Sequence, residues 1–173
     1  MTRRRILFLG MTGMPLSLTI APRMSAGTGW PESFTAMEKR IFEAVNAQRA
    51  NVQSPPLIWD DLLTRTAREH SRRMIEAGFF GHDDPQYGDL RARLTAAGVP
   101  WWMCAENVFR EKNYSDPVSI AIVDWMHSEG HRRNLLSPEY TLSGVGVAAA
   151  EDGTMAMTQQ FLTPIPKPAR KNK

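Results

Sequence analysis

Residues 125–136, with the sequence WMHSEGHRRNLL, join the end of an apolar helix to a short polar segment. The helix is predicted to begin at Asp116-Pro117, because aspartate caps a helix and proline fits its first turn. Gly130 ends the apolar pattern and opens a short irregular or helical segment. His131 therefore lies at a position where an imidazole can face a cleft.

Two further ionisable side chains stand in unusual sequence surroundings. His82 lies in the loop 81–88, which is rich in Gly, Asp and Pro and makes little structural demand for histidine. Glu106 interrupts the apolar run 101–108, and a buried carboxylate is costly unless a cation, a metal ion or a hydrogen-bond donor accompanies it. Together with His131 these side chains could bind zinc or transfer protons. They share no short metal-binding motif, and a structural role is the commoner reading of each one singly.

The remaining patterns predict an α+β domain. A capping box at residues 35–38 predicts the start of the first helix, and Asp60 and Asp89 are predicted to cap the second and third helices. A turn at Asp152-Gly153 predicts a hairpin late in the chain. Strands are predicted over three segments: 102–109, 144–148 and 155–161. Three or four helices with three strands are typical of helices layered around an antiparallel sheet.

The net charge of +3 does not describe the body of the chain. Four arginines and no acidic residue lie in residues 1–26, and four basic residues lie in residues 166–173. Residues 27–165 carry 13 basic and 18 acidic side chains, a net charge of −5. A mildly acidic domain lacks the basic surface that binds a phosphate backbone, so no nucleic-acid partner is expected. The single cysteine, Cys104, excludes an intramolecular disulfide and a zinc site built from several cysteines.

The two ends of the chain indicate an exported protein. Residues 1–26 are typical of an export signal, because three arginines precede a moderately apolar stretch, and the arginines also resemble a twin-arginine signal. Residues 27–35 are predicted to be a linker, and residues 163–173 a proline-rich basic tail. The apolar stretch 6–21 is too short and too interrupted for a membrane-spanning helix. We expect a periplasmic or extracellular protein with no integral membrane segment after processing.

Four segments in a fixed order carry a resemblance to a known family. They are 46–49 (NAQR) with 57–62 (LIWDDL), 105–108 (AENV), 125–136 and 140–146 (YTLSGVG). This set closely resembles the CAP superfamily of cysteine-rich secretory proteins, antigen five and plant pathogenesis-related proteins, also called SCP-like extracellular proteins. The resemblance is to the small bacterial branch without disulfides, and it covers about residues 36–162.

The resemblance implies a fold and a site. The fold is a three-layer α-β-α sandwich with a small central antiparallel sheet, and the site is a central cleft that binds zinc or another divalent cation in some members. His82 and His131 match the two histidines of that cleft, and Glu106 matches the acid of its Glu-Asn motif. Ser128 stands where the family has a second acid, with Glu129 beside it. An incomplete set of acids implies weaker metal binding than at an enzyme site with three protein ligands.

Three functions are compatible with these observations. The first is an exported, monomeric protein whose cleft binds a divalent metal or a small ligand, with His82, Glu106 and His131 as metal ligands. The second is a metal-dependent or His/Glu-dependent hydrolase resembling a peptidase, with His131 or His82 as the base and Glu106 orienting it. The third is lipid or sterol binding, which is attributed to other relatives. No nucleophile pattern accompanies His131, so a conventional enzyme is not the first expectation.

Several polar residues near the cleft segments are predicted to be structural. His70 lies on the second helix and is expected to be a packed or surface histidine. Asn107 is expected to be structural, and Arg132 and Asn134 are expected to brace the chain through backbone hydrogen bonds.

Overall fold

A computed structural model describes residues 32–166 of the protein. The predicted export signal (1–26), most of the predicted linker and the basic residues of the tail lie outside the described residues. Within residues 32–166, no helix is long and apolar enough to cross a membrane.

Helices and strands alternate irregularly along the described chain. In order they are α1 (Phe34–Asn51), β1 (Ile58–Trp59), α2 (Asp61–Glu76), α3 (Leu90–Ala96), β2 (Met103–Lys112), α4 (Pro117–His127), α5 (Glu129–Leu136), β3 (Leu142–Ala149) and β4 (Thr154–Thr163).

Four of the five described helices begin at a residue whose side chain caps the helix, and the sequence predicts three of these caps. Asp60, Asp89 and Asp116 each accept a hydrogen bond from the backbone N–H three residues ahead, as the sequence predicts. The capping box predicted at residues 35–38 is wrong. Helix α1 begins one residue before this segment, and Ser33 accepts the capping hydrogen bond.

Glu38 does not cap α1 because its carboxylate is used inside the fold. The residue is buried and accepts hydrogen bonds from Arg68 on α2 and from the backbone N–H of Val147 on β3. Strand β1 pairs with only two residues of β3, so the N–H of Val147 lies beyond the end of β1 on that side of β3. Glu38 therefore satisfies a strand donor that would otherwise be unpaired.

The four strands form one sheet in the order β1-β3-β4-β2. The three long strands are antiparallel neighbours, as predicted, and β3 and β4 are joined by the predicted hairpin turn at Asp152-Gly153. Strand β1 adds a parallel pair with β3 that the sequence patterns did not predict. A two-residue strand is too short to show a period-two pattern.

Each face of the sheet packs against its own set of helices. Val145 and Val147 of β3 belong to the larger core, which they share with α1, α4 and α5. Gly144 and Gly146 alternate with these valines and face α2. A Cβ at either glycine would lie within 2.2 Å of a backbone nitrogen of α2, so only glycine permits this close packing. The α+β class and the α-β-α layering are therefore as predicted.

Candidate functional site

The structure brings His82, Glu106 and His131 together into what we call the histidine site. His82 lies in the loop after α2, Glu106 on β2 and His131 on α5. The Nδ1 atom of His82 is 3.2 Å from Oε1 of Glu106, and the rings of His82 and His131 have centroids 6.4 Å apart. The side chain of His82 is 51% exposed, so the site opens to solvent.

The carboxylate of Glu106 lies at the buried side of the histidine site and is fully hydrogen-bonded. Arg93 on α3 donates from Nη2 to both carboxylate oxygens, at 2.9 and 3.1 Å. Gln160 on β4 donates to Oε2 at 3.0 Å. Burial opposes ionisation, but the hydrogen bond from His82 and the positive charge of Arg93 outweigh it and lower the pKa of Glu106. Glu106 is therefore an ionised carboxylate.

Arg93 and Gln160 are site residues that sequence reasoning missed. The side chain of Arg93 is only 9% exposed, and it is the cation that a buried Glu106 was expected to need. Gln160 is the partner of Glu106 in the β2–β4 register. A glutamine inside the apolar strand β4 could have predicted a buried polar partner. No local sequence pattern relates Arg93 to Glu106.

The two histidines of the site have pKa values that move in opposite directions. The hydrogen bond to Glu106 is the main reason that the pKa of His82 is raised. Burial lowers the pKa of His131, and the nearby charge of His82 lowers it further. The Nδ1 atom of His131 is buried and has no hydrogen-bond partner among the described residues. The lowered pKa favours the neutral form of the His131 imidazole.

Asparagine side chains fix the backbone that carries His131. Asn107 on β2 donates to the carbonyl oxygen of His131 at 3.1 Å, and Asn134 donates to Oδ1 of Asn107 at 3.0 Å. Arg132 donates to the carbonyl oxygen of Met126 at 3.3 Å. Asn134 also donates to the backbone carbonyl oxygen of Glu106 at 3.4 Å, so both Arg132 and Asn134 make backbone hydrogen bonds, as predicted. The asparagine contacts join α5 to β2, and the contact of Arg132 joins α5 to α4.

Arg49 holds the end of α5 from inside the protein. The residue is completely buried on α1, and its guanidinium donates only to backbone carbonyl oxygens. The four acceptors are Pro55, Leu135, Ser137 and Tyr140, at 2.8 to 3.2 Å. A buried guanidinium with this set of acceptors connects α1 to the chain segment that follows His131.

The two remaining histidines have other roles. His70 is buried, as a packed histidine, and its Nε2 atom lies 2.9 Å from the carbonyl oxygen of Gly81. This contact anchors the loop next to His82. His127 is exposed at the end of α4, where Nδ1 lies 2.8 Å from the carbonyl oxygen of Val123. Ser128, which stands in place of a second acid, lies at the junction of α4 and α5.

No group of three or more His, Cys, Asp or Glu side chains within residues 32–166 is arranged to hold a metal ion. At the histidine site, the oxygens of Glu106 accept hydrogen bonds from Arg93 and Gln160 and also lie against His82. The two imidazoles are the side chains with nitrogen available. Metal binding stays a prediction.

The family of the chain follows from comparison with known proteins. Residues 42–161 match the profile of the CAP family, described as the cysteine-rich secretory protein family. The protein belongs to the CAP family, and the resemblance found in the sequence motifs is confirmed.

Relatives from three bacteria support the same assignment. The uncharacterized protein YkwD of Bacillus subtilis is 34% identical over 142 residues, which are 82% of this chain and 53% of YkwD. An extracellular SCP-domain protein from Bacillus anthracis matches with a TM-score of 0.66 and 34% identity, over 74% of this chain and 40% of that one. A cysteine-rich secretory protein from Staphylococcus aureus matches with a TM-score of 0.58 and 27% identity, over 76% of this chain and 40% of that one. The chain thus spans about half of these relatives or less.

Proposed function

We propose that the protein is exported and that its histidine site binds a divalent metal ion through His82 and His131. The observation that carries the proposal is that two imidazoles with different hydrogen-bond partners lie side by side. His82 is held by Glu106, and the ring of His131 lies beside it and has a buried nitrogen without a partner among the described residues.

Glu106 supports the proposal by orienting His82. When Nδ1 of His82 donates its hydrogen to the carboxylate, the lone pair of Nε2 is free for a metal ion. Histidine ligands commonly donate their second N–H to a carboxylate in this way. Glu106 was expected to be a third ligand, but its oxygens already accept hydrogen bonds from Arg93 and Gln160. We therefore propose a positioning role for Glu106.

His131 supports the proposal because its pKa is lowered and because its Nδ1 atom has no hydrogen-bond partner among the described residues. A buried nitrogen without a hydrogen-bond partner costs free energy, and a metal–nitrogen bond would remove that cost. Burial lowers the pKa of His131, so its lone pair is available at neutral pH. A divalent ion held here would supply a Lewis acid at the opening beside His82. Two protein ligands are fewer than the three of a catalytic zinc site, which agrees with weak binding.

Export is supported by the basic and apolar start of the chain and by the relatives described as extracellular or secretory. We propose a periplasmic or extracellular location. Fractionation of cells that express the full chain tests it: the protein should leave the cytoplasm, and changing Arg3, Arg4 and Arg5 to Gln should retain it there. Equal distribution of both proteins would contradict export through this segment.

Isothermal titration calorimetry with Zn²⁺ tests the metal proposal. The protein is the full chain without a histidine tag, stripped with a chelator and checked for the expected monomeric state by light scattering. We expect saturable binding by the wild type and loss of binding in His82→Ala and His131→Ala. His127→Ala is the matched control, because this exposed histidine lies outside the site. Equal binding in all four proteins, or none in the wild type, would contradict the proposal.

The contact between His82 and Glu106 also favours a second candidate, a hydrolase resembling a peptidase. A histidine oriented by a carboxylate is the arrangement of a general base. Purified protein would be assayed against peptide and ester libraries, with and without added Zn²⁺. The activity should disappear in His82→Ala and in Glu106→Gln. Activity that survives both changes would come from a contaminant.

A cavity between α1 and α4 favours the third candidate, lipid or sterol binding. Its volume is about 510 Å³, and its walls include Ala44, Ala47, Val118 and Ile122. Arg40, Glu43 and Ser119 also line it, so the cavity combines an apolar part with a polar rim. Lipid extraction from the purified protein followed by mass spectrometry tests it. Reproducible recovery of one lipid class would support this function, and an extract identical to the buffer blank would argue against it.

A further inference from the structure

A second cavity of about 520 Å³ lies between α2, α3 and the loop that follows α2. Its lining residues include none of His82, Glu106 and His131, but it shares with their site the side chain of Arg93, which donates to Glu106. The apolar part of its wall comes from Leu62 on α2 and from Ala96 and Ala97 at the end of α3. This volume falls within the usual range for small-molecule sites.

One charge pair in the wall is already balanced. Asp84 is buried and accepts hydrogen bonds from Nε and Nη2 of Arg73, at 3.0 and 3.2 Å. The same carboxylate accepts the backbone N–H groups of Gln86 and Tyr87. Asp84 is therefore saturated, and this pair adds no net charge to the cavity.

Arg93 also lines the cavity, and although its charge is paired with Glu106, only part of its guanidinium is hydrogen-bonded. Its Nη2 atom donates to Glu106 and to the carbonyl oxygen of His82. Its Nε and Nη1 atoms are buried and have no hydrogen-bond partner among the described residues. Buried N–H groups without acceptors are costly, and an anionic acceptor nearby would relieve that cost.

Arg65 supplies the unbalanced positive charge of the wall. It forms no ion pair with another of the described residues, whereas Glu69, the remaining acid of the wall, is paired with Arg72. His70 also lines the cavity but adds no charge, because burial lowers its pKa and its Nε2 atom lies against the carbonyl oxygen of Gly81. The cavity is thus apolar on one side, and on the other it carries the charge of Arg65 and the unpartnered N–H groups of Arg93.

We propose that this cavity binds a small organic carboxylate with an apolar body. The carboxylate lies toward Arg65 and Arg93, and the hydrocarbon part packs against Leu62, Ala96 and Ala97. Arginine is the side chain best matched to a carboxylate, and the apolar wall adds burial of the hydrocarbon. The proposal does not depend on metal binding at the histidine site.

The test uses phenylacetate and its neutral analogue phenylacetamide, each titrated into the ¹⁵N-labelled full chain and followed by backbone amide NMR shifts. We expect saturable shifts at α2 and α3 with phenylacetate, and binding about tenfold weaker with phenylacetamide because the charge-assisted hydrogen bonds are lost. Ala96→Trp fills the cavity and should abolish the shifts. Arg65→Gln should weaken binding about fivefold.

Arg91→Gln is the matched control, because this arginine also lies on α3 but outside the cavity wall. It should bind phenylacetate like the wild type. The proposal is overturned if the acid and the amide bind equally, if neither gives saturable shifts, or if a folded Ala96→Trp protein binds unchanged. If Ala96→Trp fails to fold, the affinities of Arg65→Gln and Arg91→Gln for phenylacetate are compared instead. Equal affinities would overturn the proposal.

Discussion

Replacement of Arg49 by Met should strongly destabilise the protein and disturb the histidine site. The guanidinium of Arg49 donates to four backbone carbonyl oxygens, and methionine fills a similar volume without any donor. Each buried acceptor left without a donor costs about 1–3 kcal/mol. Some of that cost is offset because the buried guanidinium, which has no carboxylate partner among the described residues, is itself costly to desolvate. We therefore expect a loss of about 3–5 kcal/mol, a large fraction of the stability of a typical domain.

The assay is urea unfolding followed by circular dichroism, with Zn²⁺ titration of the same proteins. Arg49→Lys should recover part of the stability, since one ammonium cannot reach all four acceptors. Arg132→Ala is the control, because this exposed arginine makes one long hydrogen bond to Met126, and its loss should cost less than about 0.5 kcal/mol. A free energy of unfolding for Arg49→Met within about 1 kcal/mol of the wild type would refute the role assigned to Arg49.

Three further predictions concern the sheet and the charges of the site. Gly146→Ala should lower the free energy of unfolding in urea by more than about 3 kcal/mol, because its Cβ would lie 2.1 Å from a backbone nitrogen of α2. Gly130→Ala is the control: its Cβ meets no atom within 4 Å, and the change should be neutral or stabilising. Equal effects of the two changes would contradict the close packing of β3 on α2. The pKa of Glu106 is lowered in the folded protein, so its ionisation stabilises the fold above the unfolded pKa and this stability is lost as pH falls through the folded pKa. Glu106→Gln, which leaves the charge of Arg93 without its carboxylate, should therefore be destabilised at pH 7 by about 2–3 kcal/mol and much less in acid; a difference independent of pH would argue against it. Zn²⁺ affinity should rise with pH through the raised pKa of His82, because the proton competes with the metal, and calorimetry that finds no pH dependence would contradict His82 as a ligand.

Much of the fold could be predicted because its signals are local. Asp60, Asp89 and Asp116 cap helices through contacts only three residues away, and Asp152-Gly153 is a hairpin turn in sequence and in structure. Such contacts depend on the order of neighbouring residues and little on the rest of the chain. The resemblance to the CAP family then supplied the layering.

The predictions that failed or were missing involve contacts between distant parts of the chain. Glu38 looked like the end of a capping box, but it is buried against Arg68 and the backbone of Val147. The parallel pairing of β1 depends on a two-residue strand that no periodicity reveals. In both cases tertiary contacts outweigh a local preference.

The candidate site was predicted in part. The family motifs selected His82, Glu106 and His131, and the structure places them together. They did not select Arg93 or Gln160, which surround Glu106 from α3 and β4. A carboxylate in an apolar segment predicts that a partner is needed, but the sequence alone does not identify the arginine that supplies the charge.

Anomalous diffraction from a crystal soaked in Zn²⁺ would show directly whether His82 and His131 bind a metal ion together. The wild-type crystal should show a zinc peak bonded to both His82 and His131, with Glu106 hydrogen-bonded to His82 and not to the metal. The same soak of a His131→Ala crystal should lose that peak. A wild-type crystal with no peak between the two imidazoles, or with zinc bound to His127 alone, would contradict the account.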